Sequence, residues 1–310
     1  MLALLAAFAL LPSFTSTPNP ATSYEDSLAR FAALEATEAT LPLSQAGRSR
    51  LLTHGGKTER VFVLLHGLTN APEQFLRFAK LLFDSGANVV IPRARYGGFA
   101  DVMNVEQGRQ DGQDLIDQAA LGLDIAAGLG NSVHVVGLSG SAVAAAWMAQ
   151  NRDGISSATL IAPFFGVHGR RVGSTDLFAR VLSRSPIFFQ WWDPDKREDL
   201  PGPPYAYPRI STRTLAFTIR LSADVRRHLP TRPLRVKTLN ILTSGADQAV
   251  NNALTKSMAN TWAARGPAQL TVFNFPEDLK VPHDMIDPLA VGAVTDITYP
   301  KLLEMLGITN

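Results

Sequence analysis

One uncharged stretch, Val133 to Ala149, limits the possible folds more than any other part of the chain. Gly137, Ser139 and Gly140 divide it into a valine-rich run and an alanine-rich run, so it reads as a strand, a sharp turn and a helix in a folded core rather than as a membrane span. A second run, Val61 to Leu65, is apolar at every position. Such a strand has no face to offer water and must be covered on both sides, as happens in a parallel sheet flanked by helices.

The rest of the chain keeps this rhythm. Arg50 to Thr53, the Gly55-Gly56 turn and Thr58 to Leu65 suggest a hairpin. Glu73 to Phe83 sets Phe75, Phe78, Ala79 and Leu82 on one helical face. Val89 to Ile91 is a strand, Glu106 to Leu129 a helical region, Val133 to Val136 a strand, Ser141 to Gln150 a helix and Ala158 to Ile161 a strand. After Pro163 the alternation stops. Residues 164 to about 232 carry many prolines, clustered aromatics and arginines without a clear strand. It resumes with the strand Thr238 to Thr243, the helix Asn251 to Ala264, the strand Gln269 to Phe275 and a final helix through Leu303. The expected fold class is therefore α/β, a mostly parallel central sheet with helices on both faces and a cap insertion at about 164–232. Residues 22–57 form an N-terminal linker and first hairpin arm, and 58–306 the main domain. No internal repeat is visible.

A chain of 310 residues, 46% of them hydrophobic, has enough apolar side chains for one large core or a core and a small subdomain. With 29 Lys+Arg against 27 Asp+Glu and no basic run, nucleic acid is not an expected partner. The absence of cysteine excludes disulfides, a thiolate nucleophile and thiolate-bound zinc. Met1 to Pro12 is an apolar run leading into a Ser/Thr/Pro/Asn stretch that ends near Ala21, the shape of a secretory leader over residues 1–21. That implies export, with a cytoplasmic location as the alternative because no Lys or Arg precedes the run. The run is too short for a stable span, which takes roughly 20 residues.

A serine at the tip of a strand-to-helix turn projects its hydroxyl above the sheet, and glycines around it remove Cβ atoms that would collide. Gly137-Leu138-Ser139-Gly140-Ser141 has this form, with Ser141 where a final glycine is usual. The alternative is an ordinary glycine-rich turn with an idle serine. A phosphate loop is excluded, since neither G-x-x-x-x-G-K-[ST] nor G-x-G-x-x-G is present. A serine hydroxyl needs a base to take its proton and a third group to orient that base. Asp247 lies just past the strand Thr238 to Thr243, where sites of open parallel sheets collect. His283 follows the strand Gln269 to Phe275. Asp284 and Asp287, beside the histidine, fit helix capping better than catalysis. His66-Gly67-Leu68 follows the strand that ends at Leu65, so the N–H groups of Leu68 and Gly140 are the candidate donors to an oxyanion, with His66 bracing the loop.

His66-Gly67, the turn at Ser139, Asp247 in its G-x-D turn and His283-Asp284 together resemble the α/β-hydrolase superfamily, in its monoacylglycerol lipase and carboxylesterase-like branch. The resemblance covers about residues 58 to 306 apart from the insertion. Arg93 to Gly98 is similar to a loop in which that branch commonly carries Gly-His-Gly, with the histidine replaced. The resemblance implies an α/β-hydrolase fold and hydrolysis of a small-molecule carboxylic ester through Ser139, His283 and Asp247, with no metal or organic cofactor. The same residues would also suit another acyl hydrolase or acyltransferase, such as a peptidase or thioesterase. A non-catalytic binding protein on the same fold is a third reading. Trp191 and Trp192, in the aromatic cluster of the insertion, are expected to line the acyl pocket, or else to anchor the insertion to the core.

Overall fold

The computed structural model describes residues 14–199, 201–266 and 268–308. In chain order its elements begin with α1 (Tyr24–Ala39), β1 (Arg50–Leu52), β2 (Thr58–Leu65), α2 (Leu76–Asp84), β3 (Asn88–Ile91) and α3 (Gly112–Ala126). There follow β4 (Gly130–Leu138), α4 (Gly140–Asn151), β5 (Ser157–Ile161), α5 (Val172–Leu182), β6 (Phe189–Trp191), β7 (Arg209–Ser211) and α6 (Thr212–His228). The chain closes with β8 (Thr238–Ser244), α7 (Asn252–Ala263), β9 (Gln269–Phe275) and α8 (Thr295–Met305).

Seven strands form one sheet in the order β1-β3-β2-β4-β5-β8-β9, parallel except at β1. Side chains of a strand alternate between faces, so each apolar strand feeds two cores. Val61, Val63, Leu65, Val135 and Leu160 pack toward α1, α3, α4, α6 and α7. Phe62, Leu64, Val136, Leu138 and Ile161 pack toward α2 and α8. This double burial explains why β2 and β4 show no polar alternation.

The expected hairpin is not formed. β1 runs antiparallel to β3, with Leu51 opposite Val90, and β3 lies between β1 and β2. β2 is apolar on both faces and takes parallel neighbours on both edges. The half-buried β1 is left as the short outer strand, where an exposed ladder does least harm.

The insertion between β5 and β8 is more regular than its sequence. β6 and β7 pair antiparallel, with Gln190 opposite Ile210, but three residues each are too few to display a period of two. The helix α6 also packs on the body: Trp147 Nε1 donates to Asp224 (3.0 Å) and Ser222 Oγ to the Phe165 carbonyl (2.7 Å). The roof proper is thus α5, the β6/β7 pair and their connections, with α6 as the wall that joins it to the sheet layer.

Of the leader expected over residues 1–21, residues 1–13 lie outside the described residues. Residues 14–21 run along α3, where Thr15 N–H donates to Gln113 Oε1 (3.1 Å) and Ala21 N–H to the Asp124 carbonyl (2.8 Å). Among the described residues no helix is long and apolar enough to cross a membrane.

Candidate active site

Ser139 sits between β4 and α4 with φ 57° and ψ −118°, a left-handed backbone that a non-glycine residue adopts only under constraint. The constraint is visible on both sides. Ser139 N–H donates to the Ile161 carbonyl (2.9 Å), and a Cβ on Gly137 would meet the Ser141 carbonyl oxygen at 2.7 Å, so the strand and helix backbones approach more closely than any side chain permits. Ser141 is more than a small substitute for glycine. Its hydroxyl donates to the His66 carbonyl (2.6 Å), tying the first turn of α4 to the end of β2.

His283 Nε2 is 3.0 Å from Ser139 Oγ, and its Nδ1 is 2.7 Å from Asp247 Oδ2. Asp247 is buried, and its other oxygen accepts from Ala249 N–H (2.8 Å). A carboxylate only accepts, so the Nδ1 proton points at Asp247 and the Nε2 lone pair faces the serine hydroxyl. Burial alone would lower the His283 pKa. The hydrogen bond and charge of Asp247, with a smaller contribution from Asp284, outweigh it and leave the imidazole more basic than usual.

The Gly140 and Leu68 N–H groups have no protein acceptor among the described residues, as the first N–H of a helix and a loop amide can when they face a cavity. The two segments touch, since a Cβ on Gly140 would lie 2.5 Å from Leu68 Cγ. His66 is fully buried, and burial pushes its pKa down to about 4. Its Nε2 accepts from Ala94 N–H (3.0 Å), so Nδ1 donates to the Gly67 carbonyl (2.9 Å). A neutral imidazole thus braces the loop against the segment Arg93 to Gly98.

Asp284 and Asp287 do not cap a helix, because the next one begins only at Thr295. Asp284 Oδ2 accepts from Asn70 Nδ2 (3.0 Å) and Gln74 Nε2 (2.9 Å), while Gln74 Oε1 accepts from Gly67 N–H (2.8 Å). This chain ties the loop that carries His283 to the loop that carries Leu68. Asp287 accepts from the Tyr205 hydroxyl (2.8 Å), and burial, then the charge of Asp284, raises its pKa to about 6. Sequence reasoning missed Asn70, Gln74 and Asp284 because no local pattern marks a bond between residues 210 or more positions apart.

Ser139 and His283 open into a cavity of about 1080 Å³ beneath the roof. Its walls are largely apolar, with Leu138 and Phe164 from the body and Leu182, Leu215 and Ile219 from α5 and α6. Leu215 and Ile219 stand four residues apart on one face of α6, a helical signal hidden by the proline-rich surroundings. Trp192 lines the cavity, and Trp191 does not. Gln190 and Trp192 point to one side of the β6 segment, whereas Phe189 and Trp191 point to the other and cover the Arg209 guanidinium at 4.3 and 5.4 Å. Of the two neighbouring tryptophans, then, one faces the cavity and the other turns away from it, as successive residues of an extended segment must. Among the described residues, no three His, Asp or Glu side chains converge in a metal-holding group.

The fold and these motifs together define a class. The profile of the alpha/beta hydrolase family matches residues 62–284, and the chain belongs to that family. No curated protein sequence matches the chain. Among solved structures, a soluble variant of monoglyceride lipase from Saccharomyces cerevisiae, in complex with a substrate analogue, superposes with a TM-score of 0.64 at 15% identity, covering 84% of this chain and 92% of that one. The monoacylglycerol lipase of Paleococcus ferrophilus gives 0.62 at 17%, with 83% and 97% covered. Est1E of Butyrivibrio proteoclasticus with ferulic acid bound gives 0.53 at 13%, with 84% and 95% covered. At such identities the likeness is one of fold.

Proposed function

We propose that this protein is a serine hydrolase that cleaves carboxylic esters with an apolar acyl or alcohol group. The observation that carries the reading is the unbroken relay from Asp247 through His283 to Ser139, with hydrogen bonds of 2.7 and 3.0 Å at the floor of a largely apolar cavity. In the first step Ser139 Oγ attacks the ester carbonyl carbon while His283 Nε2 takes the hydroxyl proton. The carbonyl oxygen becomes an oxyanion, which the N–H groups of Leu68 and Gly140 receive. The tetrahedral species collapses, and the alcohol leaves with the proton from His283. Water then attacks the acyl-enzyme by the same sequence and releases the acid and free Ser139. Asp247 holds the tautomer and stabilises the imidazolium throughout. The lipase and esterase structures that share the fold support an ester as substrate.

The test is a panel of chromogenic esters from acetyl to decanoyl, with a thioester and an aminoacyl amide beside them, and labelling by a fluorophosphonate probe. Ester turnover and labelling, both lost in Ser139→Ala, are expected. Preferred turnover of the thioester or amide would assign another acyl hydrolase. Absence of both turnover and labelling in the unmodified protein would leave a binding protein.

A further inference from the structure

The cavity carries one cation for which the cleavage proposed above has no use. Among the charged side chains that line it, His283 is the proposed base, and Asp284 is engaged by Asn70 and Gln74. The remaining one is Arg170. It closes a tight turn that Gly169 permits by adopting φ 64°. Its N–H donates to the Val167 carbonyl (3.2 Å), and its carbonyl accepts from Asn251 Nδ2 (3.5 Å). Both contacts use the backbone, and its guanidinium makes no hydrogen bond or ion pair among the described residues.

The turn is fixed in place against the acid of the relay. Asn251 N–H donates to the Gly166 carbonyl (2.9 Å) and His168 N–H to the Ala249 carbonyl (3.4 Å), while Val167 and Val250 form an antiparallel bridge. The segment that ends in Arg170 is thereby bound to the segment that carries Asp247, of which Gln248 and Ala249 also line the cavity. The acids on the adjoining segments are occupied. Asp247 is buried against His283 (2.7 Å), and Asp176 of α5 is paired with Arg226 (2.6 Å). Arg170 itself is exposed, so holding its charge there costs little and the charge stays available to a ligand. Beside largely apolar walls that charge is screened less than on an open surface.

We infer that the ester taken by this cavity carries a carboxylate, which pairs with Arg170 while the apolar walls receive the rest of the molecule. A guanidinium offers two parallel N–H donors that match the two oxygens of a carboxylate, and it keeps its charge at any pH at which the relay works. Arg170 is then a specificity residue outside the bond-breaking steps. The inference rests on the ester-hydrolase reading and narrows its substrate class.

The experiment compares matched esters that differ only in one charge. One pair is the butyryl esters of a nitrophenol bearing either a ring carboxylate or a primary amide in its place; the other is the nitrophenyl half-esters of suberic acid and of its monoamide. The first pair puts the charge on the alcohol and the second on the acyl group, so the pair that shows a preference identifies the side. The unmodified protein is expected to favour the carboxylate in at least one pair, with salt reducing the preference. Arg170→Gln should lower the carboxylate-to-amide ratio of kcat/KM by about five- to tenfold, through KM rather than kcat, as for a contact present equally in the ground and transition states. Arg170→Glu should bring the ratio below that of Arg170→Gln. Arg171→Gln removes the same charge from a neighbour that does not line the cavity and should leave the ratio within about twofold. Thermal melts check that each variant is folded. No preference in either pair, an equal ratio in the unmodified protein and Arg170→Gln, or an equal loss in Arg171→Gln would overturn the inference, the last by showing a general field in place of a contact. Uncleavable nitrophenyl ethers of the same acids and amides read the preference as a Kd by quenching of tryptophan fluorescence. A preference in Kd without turnover of any ester would refute the enzymatic reading alone, and turnover of both members of each pair without preference would refute this inference alone.

Discussion

Gly140→Ala is the sharpest test of the proposed oxyanion site, because the added methyl meets the Leu68 side chain at once. Its Cβ would stand 2.5, 2.7 and 2.8 Å from Leu68 Cγ, Cδ1 and Cδ2, against ordinary contact beginning near 3.4 Å, so the Leu68 side chain must swing into the cavity it lines or its segment must move by about 0.9 Å. Leu68 is flanked by Gly67, which Gln74 holds through a 2.8 Å hydrogen bond, and the His66 carbonyl is held by Ser141 at 2.6 Å, so the backbone cannot yield freely. A displacement of about 1 Å in a catalytic group costs on the order of a hundredfold in rate, and loss of one oxyanion donor costs about a hundred- to a thousandfold. The expected outcome is a kcat lower by about two orders of magnitude, with KM changed by less than about threefold. Leu68→Ala should remove the clash, so the double variant Gly140→Ala/Leu68→Ala should recover to within about threefold of Leu68→Ala alone. Steady-state kinetics on a short chromogenic ester reads all four proteins. Unchanged kcat in Gly140→Ala would show that the Leu68 side chain yields in place of its backbone, and a double variant as impaired as Gly140→Ala would refute the placement of the two donors.

Asp247→Asn should cut kcat by about ten-thousandfold, because an amide favours the wrong tautomer of His283; a loss below about tenfold would remove Asp247 from the relay. Asp284→Asn keeps an oxygen for Asn70 and Gln74 but removes a negative charge that raises the His283 pKa. Since the base acts only when neutral, the acid limb of kcat/KM should move to lower pH, and a limb that stays or rises would contradict this account. Ser141→Ala leaves the buried His66 carbonyl without its hydroxyl donor, which costs about 1–3 kcal/mol and lowers Tm by about 2–4 °C per kcal/mol; thermal melts and a kcat within about tenfold of the unmodified protein check it. Trp192→Ala should flatten the rise in kcat/KM of about three- to fourfold per acyl methylene, whereas Trp191→Ala, outside the cavity, should leave the slope and lower stability through Arg209.

Local chemistry made much of this legible. The turn at Ser139 could be read because glycines on either side of a serine, between a valine run and an alanine run, leave few other structures open. The layer arrangement was legible for a similar reason, since β2 and β4 are apolar at consecutive positions and only burial on both faces accommodates that. The hairpin was misread because a turn between two strands says nothing about a third strand that pairs between them, as β3 does.

The sequence by itself determined the class of fold, the strand-to-helix turn at Ser139 and the candidates for acid and base, all of which rest on residues adjacent in the chain. Tertiary structure alone decided which candidates meet. Ser139 and His283 are 144 positions apart and Asp247 and His283 are 36 apart, yet all three converge at the carboxyl ends of parallel strands. The same holds for the bracket of Asn70, Gln74 and Asp284 and for the division of Trp191 from Trp192. Each depends on which strands lie side by side and which face a short element turns inward, and those are set by packing the whole core at once, not by any stretch of chain alone.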